Sequence, residues 1–91
     1  MLSNEFDYHL LLEQSEDFGV KRYKDAVYRG ELHPESGKRH GKGVILYSNS
    51  RTYEGDWFND KRHGRGFERF ANGNTYQGEY REGRAHGKGL Y

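Results

Sequence analysis

The sequence predicts an all-β fold: a single-layer antiparallel meander of stacked β-hairpins, preceded by a short N-terminal capping segment. Three observations predict it. A set of residue types recurs at an offset of 23, as when Tyr53-Glu-Gly-Asp-Trp57 is written above Tyr76-Gln-Gly-Glu-Tyr80. Within that unit, aromatic and glycine positions alternate with charged ones at period two, the signature of a strand with one packed and one wet face. Hydrophobic residues make up only 32% of the 91 residues, too few for a two-layer globule, which needs roughly half. Yet aromatics reach 15%, with 13 glycines and a single proline, a composition that disordered chains lack. A thin, ring-rich sheet reconciles these facts.

Residues 1–25 do not repeat, and Met1 to Glu16 is acidic and carries no Lys or Arg. Phe6, Leu10 and Leu11 fit one side of a short helix with Ser3 or Asn4 as its N-cap, or Leu10–Leu12 a short strand. Ser15 to Gly19 reads as a break. The segment is expected to cap the first hairpin, as terminal repeats require, with docking to a partner protein as the alternative. The repeat stack then occupies 26–91, divided as 26–50, 51–73 and 74–91, the last incomplete. Strands are expected near 27–32, 42–47, 52–57, 65–70, 75–80 and 88–91.

Each unit has two halves. Tyr28-Arg-Gly-Glu-Leu32, Tyr53-Glu-Gly-Asp-Trp57 and Tyr76-Gln-Gly-Glu-Tyr80 supply the first strand. His40-Gly-Lys-Gly-Val44, His63-Gly-Arg-Gly-Phe67 and His86-Gly-Lys-Gly-Leu90 open the second. Asn59-Asp60, Glu82-Gly83 and Asn72-Gly73 read as turns. The first unit carries two extra residues, placed at His33–Gly37, where an insertion costs least. Gly55 and Gly78 leave slots that neighbouring rings cover, and the paired glycines of His-Gly-x-Gly do the same and permit strong twist. Glu68 and Ile45 fall at equivalent positions, so the second strand is less cleanly two-faced than the first.

Tyr-x-Gly-(Asp/Glu)-(Trp/Tyr), a basic turn and His-Gly-x-Gly, at a period of 23, resemble the MORN (membrane occupation and recognition nexus) repeat. Residues 53–91 match strongly and 28–52 match with the insertion, about two thirds of the chain. The resemblance implies a rod-like stack of hairpins serving as a scaffold or dimerisation module. In this family such rods occur in radial spoke heads of cilia, cytoskeletal rings of parasites and plasma-membrane tethers, and as accessory regions of some lipid kinases and a histone methyltransferase. Leu32 departs from the expected aromatic and Pro34 follows it, so the first repeat is an atypical end repeat. The last repeat stops at Tyr91, which leaves an open edge to be paired by more chain or by a partner.

Several chemistries are set aside. His40, His63 and His86 fall on every second strand, about 9.5 Å apart, whereas zinc needs each nitrogen within about 2.0–2.1 Å; no metal site is expected, and each imidazole should serve its own turn. His9 and His33 carry no pattern. Gly41-Lys42-Gly43 lacks the Ser or Thr and the helix of a phosphate loop. Ser, Thr and Asp sit mostly in turns and form no catalytic grouping. There is no cysteine, so no disulfide framework and no thiolate site. No apolar run approaches the ~20 residues of a membrane span, and no signal peptide is evident. A net charge of +1 gives no general reason to bind nucleic acid or membrane. No cofactor and no enzymatic activity are expected.

Function therefore falls on two surfaces. The aromatic column Tyr28, Tyr53, Trp57, Tyr76 and Tyr80 is first of all the core, but a single sheet has no second layer, so some ring surface should remain open as a groove for a helix or extended peptide. A basic edge of Lys42, Arg65 and Lys88, with Lys61 and Arg62 beside the turns, could meet an acidic protein or anionic lipid. Glu54, Asp56, Glu79 and Glu82 supply a parallel acidic set that offsets it. The leading expectation is a non-catalytic scaffold that binds a partner protein or a second copy of itself in a cytoskeletal assembly, with the ciliary axoneme as the specific location implied by the resemblance. The alternatives are a membrane-surface adaptor, at about 1 kcal/mol per basic residue near anionic lipid, and the targeting region of a larger enzyme.

Overall fold

The computed structural model describes residues 10–91. The N-cap and helix positions expected at Ser3, Asn4 and Phe6 lie outside them. After a helical turn at 10–13, seven strands follow in chain order: β1 (Phe18–Tyr23), β2 (Ala26–Leu32), β3 (Arg39–Tyr47), β4 (Thr52–Phe58), β5 (Lys61–Arg69), β6 (Thr75–Arg81) and β7 (Arg84–Leu90). They form one open sheet, each strand antiparallel to the next. The expected meander of hairpins is the observed fold.

Two elements differ from expectation. The sheet has a seventh strand, β1, inside the segment that shows no repeat. It pairs Gly19 with Gly30, as β3 pairs Gly43 with Gly55. Thus β1 takes the place of a His-Gly-x-Gly strand while retaining only the second glycine, which is why no repeat was visible there. The expected break ends at Asp17. Further, β5 and β7 begin at Lys61 and Arg84, before their His-Gly elements rather than after them. The turns between strands shrink to two residues, with positive φ at Asn59 (49°) and Asp60 (71°), and at Glu82 (53°) and Gly83 (83°). Such turns match strand twist and hold hairpins tight. The His-Gly element is a bulge inside the strand, marked by register shifts between Gly55 and Trp57 and between Gly78 and Glu79.

The recurring motif now has a physical explanation. Tyr28, Tyr53 and Tyr76 fold back along their own strands, and each hydroxyl donates to the carbonyl three residues on: Glu31 (2.7 Å), Asp56 (2.9 Å) and Glu79 (3.2 Å). The ring can lie so close only because the sheet beneath it is bare. Gly30, Gly55 and Gly78 pair with Gly43, Gly66 and Gly89. A Cβ on Gly66 would collide with the Tyr53 ring. The acidic residue serves the bulge. The Arg65 backbone N–H donates to Asp56 Oδ2 (3.1 Å) and that of Lys42 to Glu31 Oε1 (2.8 Å). Each carboxylate thereby satisfies an N–H beside a glycine of positive φ, Gly64 (76°) or Gly41 (96°).

The core sits on one face. Tyr28, Ile45, Tyr53, Trp57, Tyr76 and Tyr80 form a single buried cluster, with Ala26, Leu32, Tyr47 and Phe70 packed at its margin. The rings meet edge to face along the stack, Tyr28–Trp57 at 5.3 Å, Trp57–Tyr53 at 5.2 Å, Tyr53–Tyr80 at 5.0 Å and Tyr80–Tyr76 at 5.4 Å between centroids. Each such contact contributes about 0.5–1.5 kcal/mol beyond burial. On the opposite face lies the N-terminal helical turn. Its buried residue is Leu12; Leu10 and Leu11, expected on the packed side, are exposed.

Candidate binding surfaces

The five aromatic candidates stand together, as the repeat requires, but the expectation of open ring surface is corrected. Their exposure is 0% for Tyr28 and Tyr53 and 3–4% for Tyr76, Trp57 and Tyr80. Arginine covers Trp57, Tyr53 and Tyr80, and the Tyr91 ring meets Tyr76 at 4.7 Å. The Arg39 guanidinium lies 4.7 Å from the Trp57 ring and 5.3 Å from that of Tyr23. That of Arg62 lies 5.3 Å from Tyr80 and 5.6 Å from Tyr53, and that of Arg51 5.2 Å from Tyr47. Planar, weakly hydrated cations suit this role, because they stack on rings while their edges still form hydrogen bonds.

Those edges tie one repeat to the next. Arg39 donates to the Asp60 carbonyl (2.9 Å) and Arg62 to the Gly83 carbonyl (2.6 Å), each reaching the turn of the following hairpin. Arg39 also pairs with the Asp60 carboxylate at 3.2 Å. Burial pushes the Asp60 carboxyl up; the backbone N–H, guanidinium hydrogen bond and charge of Arg39, with the charge of Lys21, outweigh that and hold it below its ordinary value.

Glu68 is the centre of a second network. It faces the aromatic core with 4% exposure. Its Oε2 meets Arg51 at 2.5 Å, and its Oε1 meets Arg62 at 3.0 Å and accepts from the Tyr80 hydroxyl at 2.7 Å. Burial, then the hydrogen bond to Glu68, raises the Tyr80 phenol far above its ordinary value; burial, then the nearby Asp56 charge, does the same to Tyr53. Sequence reading placed Arg62 on a basic edge and passed over Arg51. The available signal was Glu68 itself, a carboxylate at a core-facing position that demands cations.

The basic edge is accordingly not one column. Arg62 lies in the aromatic face. Lys42, Arg65 and Lys88 lie on the opposite face, Lys42 bonded to Asp56 at 2.6 Å. Lys61, at the turn, meets Glu82 at 3.1 Å. The histidines line the turn side. His40 Nδ1 accepts from the Asn59 N–H (3.3 Å), and Phe58 stands between His40 (5.0 Å) and His63 (5.7 Å). His33, without pattern in the sequence, packs on His40 at 5.3 Å and accepts from the Glu35 N–H at 3.2 Å. Among the described residues no group of three or more His, Asp or Glu has metal-binding geometry, and no helix is long and apolar enough to cross a membrane.

A family model of the MORN repeat matches residues 35–50, 53–75 and 76–91, more than half of the chain. The chain belongs to the MORN repeat family. No curated protein matches it. MORN repeats are non-catalytic modules for protein or membrane interaction. In this MORN chain, the side chains that define the motif are consumed in building the hairpins. Surfaces for a partner are therefore made by residues between the motif positions.

Proposed function

We propose that this chain is a non-catalytic scaffold of a cytoskeletal assembly, holding a partner helix or peptide along its aromatic face. The family resemblance supports the cytoskeletal setting and, within it, the ciliary axoneme. One observation carries the binding reading: Arg39 and Arg62 lie over the buried Trp57 and Tyr80 rings, and Arg51 over Tyr47 and Phe70 at the margin, with Tyr23 beside Arg39. A partner on this side meets arginine and aromatic edges, the residue types that dominate binding hot spots. The column Tyr28, Tyr53, Trp57, Tyr76 and Tyr80 shapes that surface from beneath. Residues 1–25 act as the cap of the stack in this reading, which the burial of Leu12 supports.

The test uses a photo-crosslinking residue at Tyr23 or Phe70 and native cytoskeletal extract. Crosslinks from both sites to the same helical or extended partner segment are expected. Tyr23→Ala with Phe70→Ala should weaken capture at least tenfold while the Trp57 fluorescence of the folded chain persists. Capture unaffected by that double substitution would remove the aromatic-face reading.

A further inference from the structure

The face opposite the rings differs between its two halves. Over β1–β3 it is covered by the chain itself. Leu12 lines one small cavity with Phe18, Arg29 and Val44 and is 5% exposed. The next residue, Glu13, pairs with Arg29 at 2.6 Å, and the Ser15 hydroxyl donates to Glu31 at 2.8 Å. A leucine anchor followed by a carboxylate is thus a working way to dock on this sheet.

The 23-residue offset carries Val44 to Phe67 and then to Leu90. Register places both on the same face, on either side of Gln77. Leu90 is 76% exposed. The charges around them are mostly basic, with Glu54 opposite Phe67 on β4 and Glu79 opposite Arg65 on β6 as the acidic neighbours. Arg65 and Arg69 flank Phe67 on β5, and Lys88 neighbours Leu90 on β7. Arg81 and Arg84 are direct cross-strand partners. All five are exposed, and none joins an ion pair among the described residues. Like charges placed opposite each other destabilise a sheet unless an anion intervenes. The carboxylate that this face presents on β5–β7 is Glu79. Over β2–β4, by contrast, Arg29 and Lys42 have Glu13 and Asp56 as partners.

We infer that the opposite face of β5–β7 is a second docking surface, for an acidic, leucine-bearing segment of a partner protein. The leucine sits over Phe67 and Leu90 as Leu12 sits over Val44, and carboxylates meet Arg65, Arg69, Arg81 and Arg84 as Glu13 meets Arg29. This surface is separate from the aromatic face and stands or falls on its own.

A fluorescein-labelled peptide copying residues 10–17 of this chain, Leu-Leu-Leu-Glu-Gln-Ser-Glu-Asp, serves as the probe. It is titrated with the full chain, whose own copy occupies the first site. Saturable binding is expected, weakening as salt rises. Arg81→Glu, which leaves an ion pair with Arg84 and so keeps the fold, should weaken it about tenfold; Leu90→Ser should do the same, and so should Leu12→Ser in the peptide. Three results would each overturn the inference: no binding at low salt, binding unaffected by Arg81→Glu and Leu90→Ser, or sedimentation with phosphatidylserine vesicles in place of peptide binding.

Discussion

Ile45 and Glu68 lie 23 residues apart and occupy the same point of consecutive hairpins, yet one fills it with an alkyl group and the other with a carboxylate. Ile45, 2% exposed, stands between Tyr28 and Tyr53 in the sheet register. Around Glu68 stand two guanidinium groups and a phenol. The sheet is the same on both sides of this difference. A single-layer fold has no second sheet to bring apolar cover, so its rings must be covered from above by something that is also content in water. Arginine meets both needs, and Glu68 fixes two of the arginines in place. This is how a chain with 32% hydrophobic residues closes a core.

The largest effect should come from removing the carboxylate. Glu68→Ala leaves Arg62 and the Tyr80 hydroxyl buried without their partner. Breaking a buried pair costs about 3–5 kcal/mol; Arg51 keeps a third of its side chain in water, so about 3 kcal/mol is expected from urea unfolding. Glu68→Ile, which copies the first hairpin into the second, should be as harmful, because the cations remain. Adding Arg51→Leu and Arg62→Leu should bring stability back to within about 1 kcal/mol of the parent. If Glu68→Ile alone were neutral, the ionic network would be decoration rather than the second hairpin's substitute for Ile45.

The shared part of the two hairpins can be probed at the glycine slot. Gly66→Ala drives a methyl group into the Tyr53 ring and should cost about 1–3 kcal/mol, the usual toll of overpacking. Gly43→Ala meets Tyr28 in the same way and should cost a similar amount. Gly73, in the turn after β5, has open space around it and a φ of 91°. Its alanine variant should lose less, about 1 kcal/mol from backbone strain alone. Equal losses at Gly66 and Gly73 would mean that conformational freedom, and not the slot, explains the repeat's glycines.

These sites also mark where the sequence was readable. The Tyr-x-Gly and His-Gly-x-Gly elements repeat because every hairpin solves the same local problem, so the fold class and the aromatic column could be read directly. What could not be read depends on contacts between hairpins. Arg62 looked like an edge residue beside Lys61, because nothing in the order of residues shows a side chain lying over rings of the two neighbouring strands. Strand β1 was invisible because Gly19 alone carries the slot there. Leu12 was missed in favour of Leu10 and Leu11, since the partner face, Val44 and Phe18, is formed only when the sheet assembles.

Burial constrains two phenols, Tyr80 beside Glu68 and Tyr53 near Asp56, which sets the alkaline behaviour. Tyr53 and Tyr80 have folded-state pKa values well above the ordinary 10.0. Their contribution is therefore fully present below pH 10. Above it the unfolded chain releases protons that the folded chain keeps, and stability falls on the order of 1 kcal/mol per group for each pH unit. Absorbance at 295 nm should show Tyr53 and Tyr80 ionising only as the fold melts. Tyr80→Phe removes one of them and frees Glu68 of its hydroxyl donor, while Tyr53 continues to resist titration.

The smallest effect belongs to the clamp between hairpins at Asp60. Its carboxyl is held below the ordinary 3.8, so the sign is opposite to that of the phenols. The contribution is present above pH 3.8 and disappears as pH falls through the lower, folded-state value. Asp60 keeps over a third of its side chain exposed, and a pair in such a setting is worth about 0.2–1 kcal/mol. Asp60→Asn keeps a residue that tolerates positive φ and can still accept from the Arg39 N–H, but it loses the charge. It should lower stability at neutral pH by a few tenths of a kcal/mol and flatten the acid limb of the pH profile relative to the parent. The loss should vanish in an Arg39→Met background, where the partner is gone, while Arg62 and Gly83 hold the next turn unchanged. A loss that persisted there would place the effect in the turn conformation of Asp60 and not in the tie between one hairpin and the next.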